Sequence, residues 1–216
     1  LGLIFSLMLT AKGMKGTRFY QTIIFIPVTL AILVTGYLWK LILNPQWGAL
    51  PLILKNIGLE TLIKPWLGEQ QYALTAVALV SSWQWVGIPT MMILAGLQTI
   101  PDDLLEAADI AGCNGWQKIR YIKLPLIKPV LGMVAILTFV NNFNAFDVVF
   151  AMENVNGAPQ YATDLIGTLF YRVGIAGQHP VGIPHPGMGA AIATVTFVML
   201  MIGVGIMLRL TQGDKD

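Results

Sequence analysis

Charge is what this sequence most lacks. Only 11% of its 216 residues are Asp, Glu, Lys or Arg, against 56% hydrophobic. Soluble domains carry about 25% charged and 45–50% apolar residues. That balance excludes a soluble enzyme, and it excludes disorder, whose signature is low hydrophobicity. The formal net charge is +2, and no basic stripe with interleaved aromatics occurs, so nucleic acid is not a partner. The single cysteine, Cys113, excludes an internal disulfide framework and any multi-cysteine metal site. The two histidines, His179 and His185, stand among prolines in GQHPVGIPHPGMG. They make a loose metal signal, so no metal is expected and the loop reads as a contact segment. No G-x-x-x-x-G-K-[ST] phosphate loop exists; the nearest Gly/Lys cluster, Gly13 to Thr17, lacks the spacing and the Lys-Thr end.

Long apolar runs are what the sequence has, with a mean hydropathy of +0.70. A helix needs about 20 mostly apolar residues to cross the bilayer core. Four stretches meet that need: Gln21 to Leu43, Gln70 to Pro101, Pro129 through Phe146 to Met152, and Gly187 to Leu208. Strands are disfavoured, because barrel strands alternate apolar and polar over about 10 residues. Leu1 to Thr10 is apolar over half a span, with no basic region ahead of it. It reads as the tail of a helix, so the chain is expected to be N-terminally incomplete. The fold class is therefore all-α: a polytopic membrane helix bundle of four complete spans plus the end of a truncated one. Residues 1–216 form a single transmembrane domain with one long loop, 100–129.

Orientation follows the Lys/Arg bias of the loops. One side carries Lys12, Lys15, Arg18, Lys118, Arg120, Lys123, Lys128, Arg209 and Lys215; the other carries Lys40, Lys55, Lys64 and Arg172. The first side is cytoplasmic, so Asn44–Glu69 and Glu153–Pro186 face outward. Arg172 on that outer side either helps hold an external protein or anchors at the interface.

The loop from Ile100 to Pro129 reads as two short helices with a turn between. Asp103 and Glu106 have capping-box spacing, Gly112 suits a left-handed helix end, and Asn114 with Gln117 caps the second helix. Leu124-Pro125 should end it. Ala107, Ala108 and Ala111 leave little bulk, so another body can approach the backbone closely. An amphipathic helix resting on the membrane surface is the other reading of this spacing.

Polar groups inside a bilayer are costly and often functional. The third span carries Asn141, Asn142 and Asn144 among phenylalanines, and the second carries Trp83, Gln84 and Gly87. Asn offers a donor and an acceptor, which suits sugar hydroxyls; interhelical hydrogen bonding is its other role. Trp83 lies too deep for an interfacial belt, about 18 Å of helix in from Gln71. Asp147 stands near the outer end of the third span, where water is in reach.

The residues of the loop resemble the permease subunits of binding-protein-dependent ABC importers, whose cytoplasmic loop reads E-A-A, then D-G-A, then I-x-L-P. Here stand Glu106-Ala107-Ala108, Gly112, and Ile122-Lys123-Leu124-Pro125. The chain departs from the pattern at Ala111, Cys113 and Ile119. Trp83 to Gly87, Leu94-Ala95-Gly96-Leu97-Gln98, Asn142 to Asp147 and Asn156-Gly157-Ala158-Pro159 resemble the maltose/sugar branch. The resemblance implies that the loop docks on a separate ATP-binding subunit through Glu106, Ala107, Ala108, Gly112, Trp116, Ile119, Leu124 and Pro125. Glu106 keeps two open roles, docking and capping. The resemblance also points Trp83, Gln84, Gly87, Asn142 and Asn144 at the solute path, with Asn141 beside them.

The implied function is that of a permease subunit in the bacterial cytoplasmic membrane, for an oligosaccharide or related polyol. Its implied partners are two ATP-binding cassette subunits, a second permease, an extracytoplasmic solute-binding protein and membrane lipid. No catalytic residue and no cofactor is expected in this chain, since ATP and Mg would be held by the ATP-binding subunits. Glycerol phosphate, polyamine or amino acid are the alternative solutes; mid-span basic residues or several acidic ones would have favoured them. A secondary transporter would need inverted repeats and a buried coupling charge. A membrane enzyme would need a His/Glu metal set, G-x-S-x-G or paired intramembrane Asp.

Overall fold

The computed structural model describes residues 1–11, 13–177 and 182–212. Thirteen α-helices make up the described chain. They are α1 (Gly2–Leu9), α2 (Thr17–Phe25), α3 (Ile32–Ile42), α4 (Ala49–Asn56), α5 (Gln70–Trp85), α6 (Gly87–Gln98) and α7 (Asp102–Ile110). The rest are α8 (Gly115–Lys118), α9 (Leu124–Leu126), α10 (Lys128–Phe143), α11 (Asp147–Glu153), α12 (Ile166–Tyr171) and α13 (Pro186–Gln212). Short 3-10 turns occupy Ile26–Thr29 and Glu60–Leu62, and π-helical turns occupy Ile119–Lys123 and Arg172–Ala176. No strand occurs among the described residues.

One helix, Pro186–Thr211, is alone long and apolar enough to cross a bilayer. At about 1.5 Å per residue it exceeds the roughly 30 Å hydrocarbon core. Three pairs suffice if each counts as one broken span: Thr17–Thr29 with Ile32–Ile42, Gln70–Trp85 with Gly87–Gln98, and Gly115–Leu126 with Lys128–Phe143. Proline explains the breaks. Pro27 sits in the 3-10 turn, while Pro89 and Pro129 fall in the first turns of α6 and α10, where a missing N–H costs nothing. The third apolar stretch differs from the expected single span. Its helix stops at Phe143, turns with Ala145 N–H donating to the Asn142 carbonyl at 3.3 Å, and resumes as α11. Asn favours such ends because its side chain competes for backbone groups.

The chain divides into two compact units. Unit 1 comprises Leu1–Val28, Trp85–Val140 and the chain from Met201. Its core is Ile93, Leu97, Ile100, Ile127 and Val134, with Leu3 and Leu7 of α1 packed against it. Gly87 lets α6 meet the end of α2, since a Cβ there would stand 2.8 Å from the Ile24 carbonyl oxygen. Unit 2 comprises Thr29–Gln84 and Asn141–Leu200. Its core is Leu43, Ala76, Val77, Val80, Val148, Val149 and Met152. There α3 and α11 approach so closely that a Cβ on Gly36 would come within 2.3 Å of Ala151 Cβ. Small residues at such crossings replace the hydrophobic drive that lipid does not supply.

Candidate functional site

The loop hairpin of unit 1 is built by local chemistry. Helix α7 begins after Pro101, whose extended ψ of 138° starts it two residues earlier than an Asp103 cap would. The expected Asp103–Glu106 capping box therefore does not form. Asp102 and Asp103 instead lie in the first turn, where the helix dipole favours carboxylates. The helix ends on a Schellman motif: Gly112 at φ +76°, its N–H donating to the Asp109 carbonyl at 3.0 Å, and Cys113 N–H donating to the Ala108 carbonyl at 2.9 Å. Helix α8 opens on a complete capping box. Gln117 N–H donates to Asn114 Oδ1 at 2.9 Å, and Asn114 N–H donates to Gln117 Oε1 at 2.8 Å. A Lys118–Asp109 ion pair ties the two helices.

Leu124-Pro125 does not end the second helix, contrary to expectation. The chain widens into the π turn at Ile119–Lys123 and continues through Leu126. A widened turn accommodates the missing proline N–H, and the stop falls at Ile127. The hairpin is exposed along its length. Glu106, Ala107, Gly112 and Pro125 are exposed, Ile119 and Leu124 are half-buried, and Ala108 faces inward. Three large side chains stand out: Ile110 at 90% exposure, Tyr121 at 74% and Trp116 at 70%. The hairpin, fixed by its Schellman turn and capping box, thus holds large apolar side chains in the open.

The expected solute-path residues are dispersed. Trp83 meets Trp39 edge to face, centroids 5.4 Å apart, and lines a crevice of about 140 Å³ with Leu30, Thr35, Leu38, Trp39 and Ile42. Gln84 is buried; its Nε2 donates to the Leu30 carbonyl at 3.1 Å and its Oε1 has no partner. Asn141, Asn142 and Asn144 are exposed at the end of α10. Gly87 belongs to unit 1 and packs on α2. Asp147 is exposed in the first turn of α11. His185 donates its backbone N–H to the Val173 carbonyl, and His179 lies outside the described residues. No group of three His, Cys, Asp or Glu side chains able to hold a metal occurs among the described residues.

Two charged groups are buried where the sequence reading did not place them. Arg172, expected at the outer surface, is 3% exposed and forks onto Asp164, with NH2 2.5 Å from Oδ2 and NH1 3.1 Å from Oδ1. Glu153, at the end of α11, is buried, and burial pushes its carboxyl up to about 7, with Lys40 pulling the other way. The only sequence signal is a lone charge at the end of an apolar run.

The described residues are all-helical, with one helix long and apolar enough to cross a membrane and three bent apolar pairs, an arrangement that fits a polytopic membrane protein. The family model for the inner membrane component of binding-protein-dependent transport systems matches residues 2–213, and the chain belongs to that family. It is similar to the trehalose/maltose transport system permease protein MalF of Thermococcus litoralis, at 31% identity over 216 residues, covering all of this chain and 69% of that protein. It is also similar to the arabinooligosaccharides transport system permease protein AraP of Bacillus subtilis, at 30% identity over 214 residues, covering 99% of this chain and 66% of that one. A bacterial ABC transporter that imports the acidic polysaccharide alginate shares the fold, with a TM-score of 0.80 at 24% identity, over 100% of this chain and 72% of that chain. The same fold recurs in an alginate ABC transporter solved with a pentasaccharide-bound periplasmic protein, with a TM-score of 0.77 at 22% identity.

Proposed function

We propose that this chain is a permease subunit of an ATP-driven importer and forms part of the membrane path for an oligosaccharide or related polyol. The projecting α7–α8 hairpin carries the reading. It offers Ile110, Trp116 and Tyr121 in a fixed frame, a shape suited to a groove on a separate subunit. The sugar class is supported by the trehalose/maltose and arabinooligosaccharide relatives and by the neutral amide and indole groups of Asn141, Asn142, Asn144, Trp83 and Gln84. The chain would work in the bacterial cytoplasmic membrane with a second permease, two ATP-binding cassette subunits and an extracytoplasmic binding protein. ATP and Mg would be bound by the cassette subunits, so this chain holds no cofactor and performs no hydrolysis.

Cys113 tests the assignment, being the sole thiol and half-buried beside the docking turn. An impermeant maleimide should label it in inverted vesicles and not in right-side-out ones, and the cognate cassette subunit should block that labelling. Labelling from the outside would overturn the orientation and the importer reading together.

A further inference from the structure

Between α11 and α12, in unit 2, the chain folds into a compact knuckle, residues 154–164. Its underside is buried: Val155, Gly157 and Thr163 face inward. Thr163 Oγ1 donates to the Ala158 carbonyl at 2.8 Å, and Thr163 N–H donates to the Gly157 carbonyl at 3.2 Å. Gly157 presses on Asp164 so closely that a Cβ would meet its backbone nitrogen at 2.7 Å. The upper side shows Asn156, Gln160 and Tyr161. Gln160 and Tyr161 both hold positive φ, at 50° and 64°. Two consecutive non-glycine residues in that region persist only where the surroundings over-determine them.

Arg172 braces this segment from beneath. Its guanidinium forks onto both oxygens of Asp164, donates from NH1 to the Val155 carbonyl at 3.0 Å, and lies 5.0 Å from the centre of the Tyr161 ring. One buried cation therefore touches the start, the exposed crest and the end of the knuckle. Thr168 adds a hydroxyl bond to Asp164 at 2.6 Å, and Gln70 Nε2 at the head of α5 donates to Gln160 Oε1 at 2.6 Å. The bidentate fork fixes direction as well as distance.

The crest from Val155 to Thr163 carries no charged residue. It offers amides and a phenol, groups that adapt their hydrogen bonds and are common on recognition loops. The Lys/Arg bias puts this segment on the outer side, which is the side from which a binding protein delivers solute. We propose that Arg172 is a positioning residue for docking of the external solute-binding protein: from beneath, it holds Asn156, Gln160 and Tyr161 in the shape that an uncharged polar patch of that protein accepts. The proposal rests on the importer reading above and differs from both expected roles of Arg172, direct contact with an external protein and anchoring at the interface.

The test uses the complete importer, reconstituted with its cassette subunits and second permease in nanodiscs. ATPase rate is followed against the concentration of solute-loaded binding protein. Arg172→Gln and Tyr161→Ala should each raise the half-saturating concentration about tenfold, with the rate at saturation within twofold of wild type. Arg172→Lys should fall between, because it keeps the charge and loses the fork. A lower saturating rate at unchanged half-saturation would mark a merely structural role and overturn the proposal. Should Arg172→Gln fail to assemble, the surface variants Tyr161→Ala and Gln160→Ala decide, and unchanged half-saturation in both overturns it. Those outcomes leave the importer reading standing. Wild-type complex that no binding protein stimulates would overturn the importer reading as well.

Discussion

Glu153 occupies the last turn of α11 with 6% of its surface exposed, and its Oε1 has no hydrogen-bond partner. Burial raises its pKa from an ordinary 4.5 to about 7, and the opposing pull of Lys40 is the smaller effect. The folded chain therefore binds more protons at this position than the unfolded chain between those values, and stability falls as pH rises through that window. Thermal unfolding in detergent between pH 5 and 8 checks it. The wild-type midpoint should drop with rising pH, and Glu153→Gln should flatten the profile and be the more stable form at pH 8. A wild-type midpoint that rises over this range contradicts the assignment. The sequence places a carboxylate after an apolar run and cannot say whether it reaches water, because the burial comes from α3 crossing α11 at Gly36 and Ala151. Arg172 was hidden for the same reason, its partners Asp164 and Val155 meeting it only through the knuckle.

Among the elements, the α7–α8 hairpin was the most legible, because its determinants are local. Gly112 at the left-handed position and the Asn114–Gln117 box act within a few residues of themselves. The Asp103 cap was misplaced because Pro101 fixes the helix start, and the stop at Pro125 because a π turn absorbs the proline. Apolar runs mark where the long helix and the bent helix pairs lie, and Pro27 and Pro89, legible inside two of those runs, stand at two of the breaks; the stop of α10 at Phe143 was not legible. Gly112→Val should cost about 1–2 kcal/mol locally, as a branched side chain resists positive φ. Asn114→Ala should cost about 1 kcal/mol through the lost cap. Both should weaken retention of the cassette subunit on affinity resin, with Gly112→Val the more severe and Gly112→Asn close to wild type. Equal retention in all three variants would mean that the turn shape does not matter for docking.

For the whole molecule, large apolar side chains lie open on both the long helix and the loop segment. The long helix α13 shows Phe197, Val198, Met199, Met201 and Ile202 openly, a pattern that suits lipid or a neighbouring helix. Ile110, Trp116 and Tyr121 are different, because they lie exposed on the loop segment that also carries Lys118, Arg120 and Lys123. Apolar residues exposed to water beside a charged rim mark a protein interface, and tryptophan is the residue most often central to one. Trp116→Ala should therefore cost about 2 kcal/mol or more of association with the cassette subunit, a loss of roughly thirtyfold in affinity. Membrane insertion and permease pairing should not change. Titrating purified cassette subunit onto permease nanodiscs measures the first, and alkali extraction with cross-linking the second. If Trp116→Ala binds as tightly as wild type while Ile110→Asp does not, the contact is centred on α7 alone. If neither weakens binding, the hairpin is a membrane-surface element and the coupling contact must lie elsewhere in the chain.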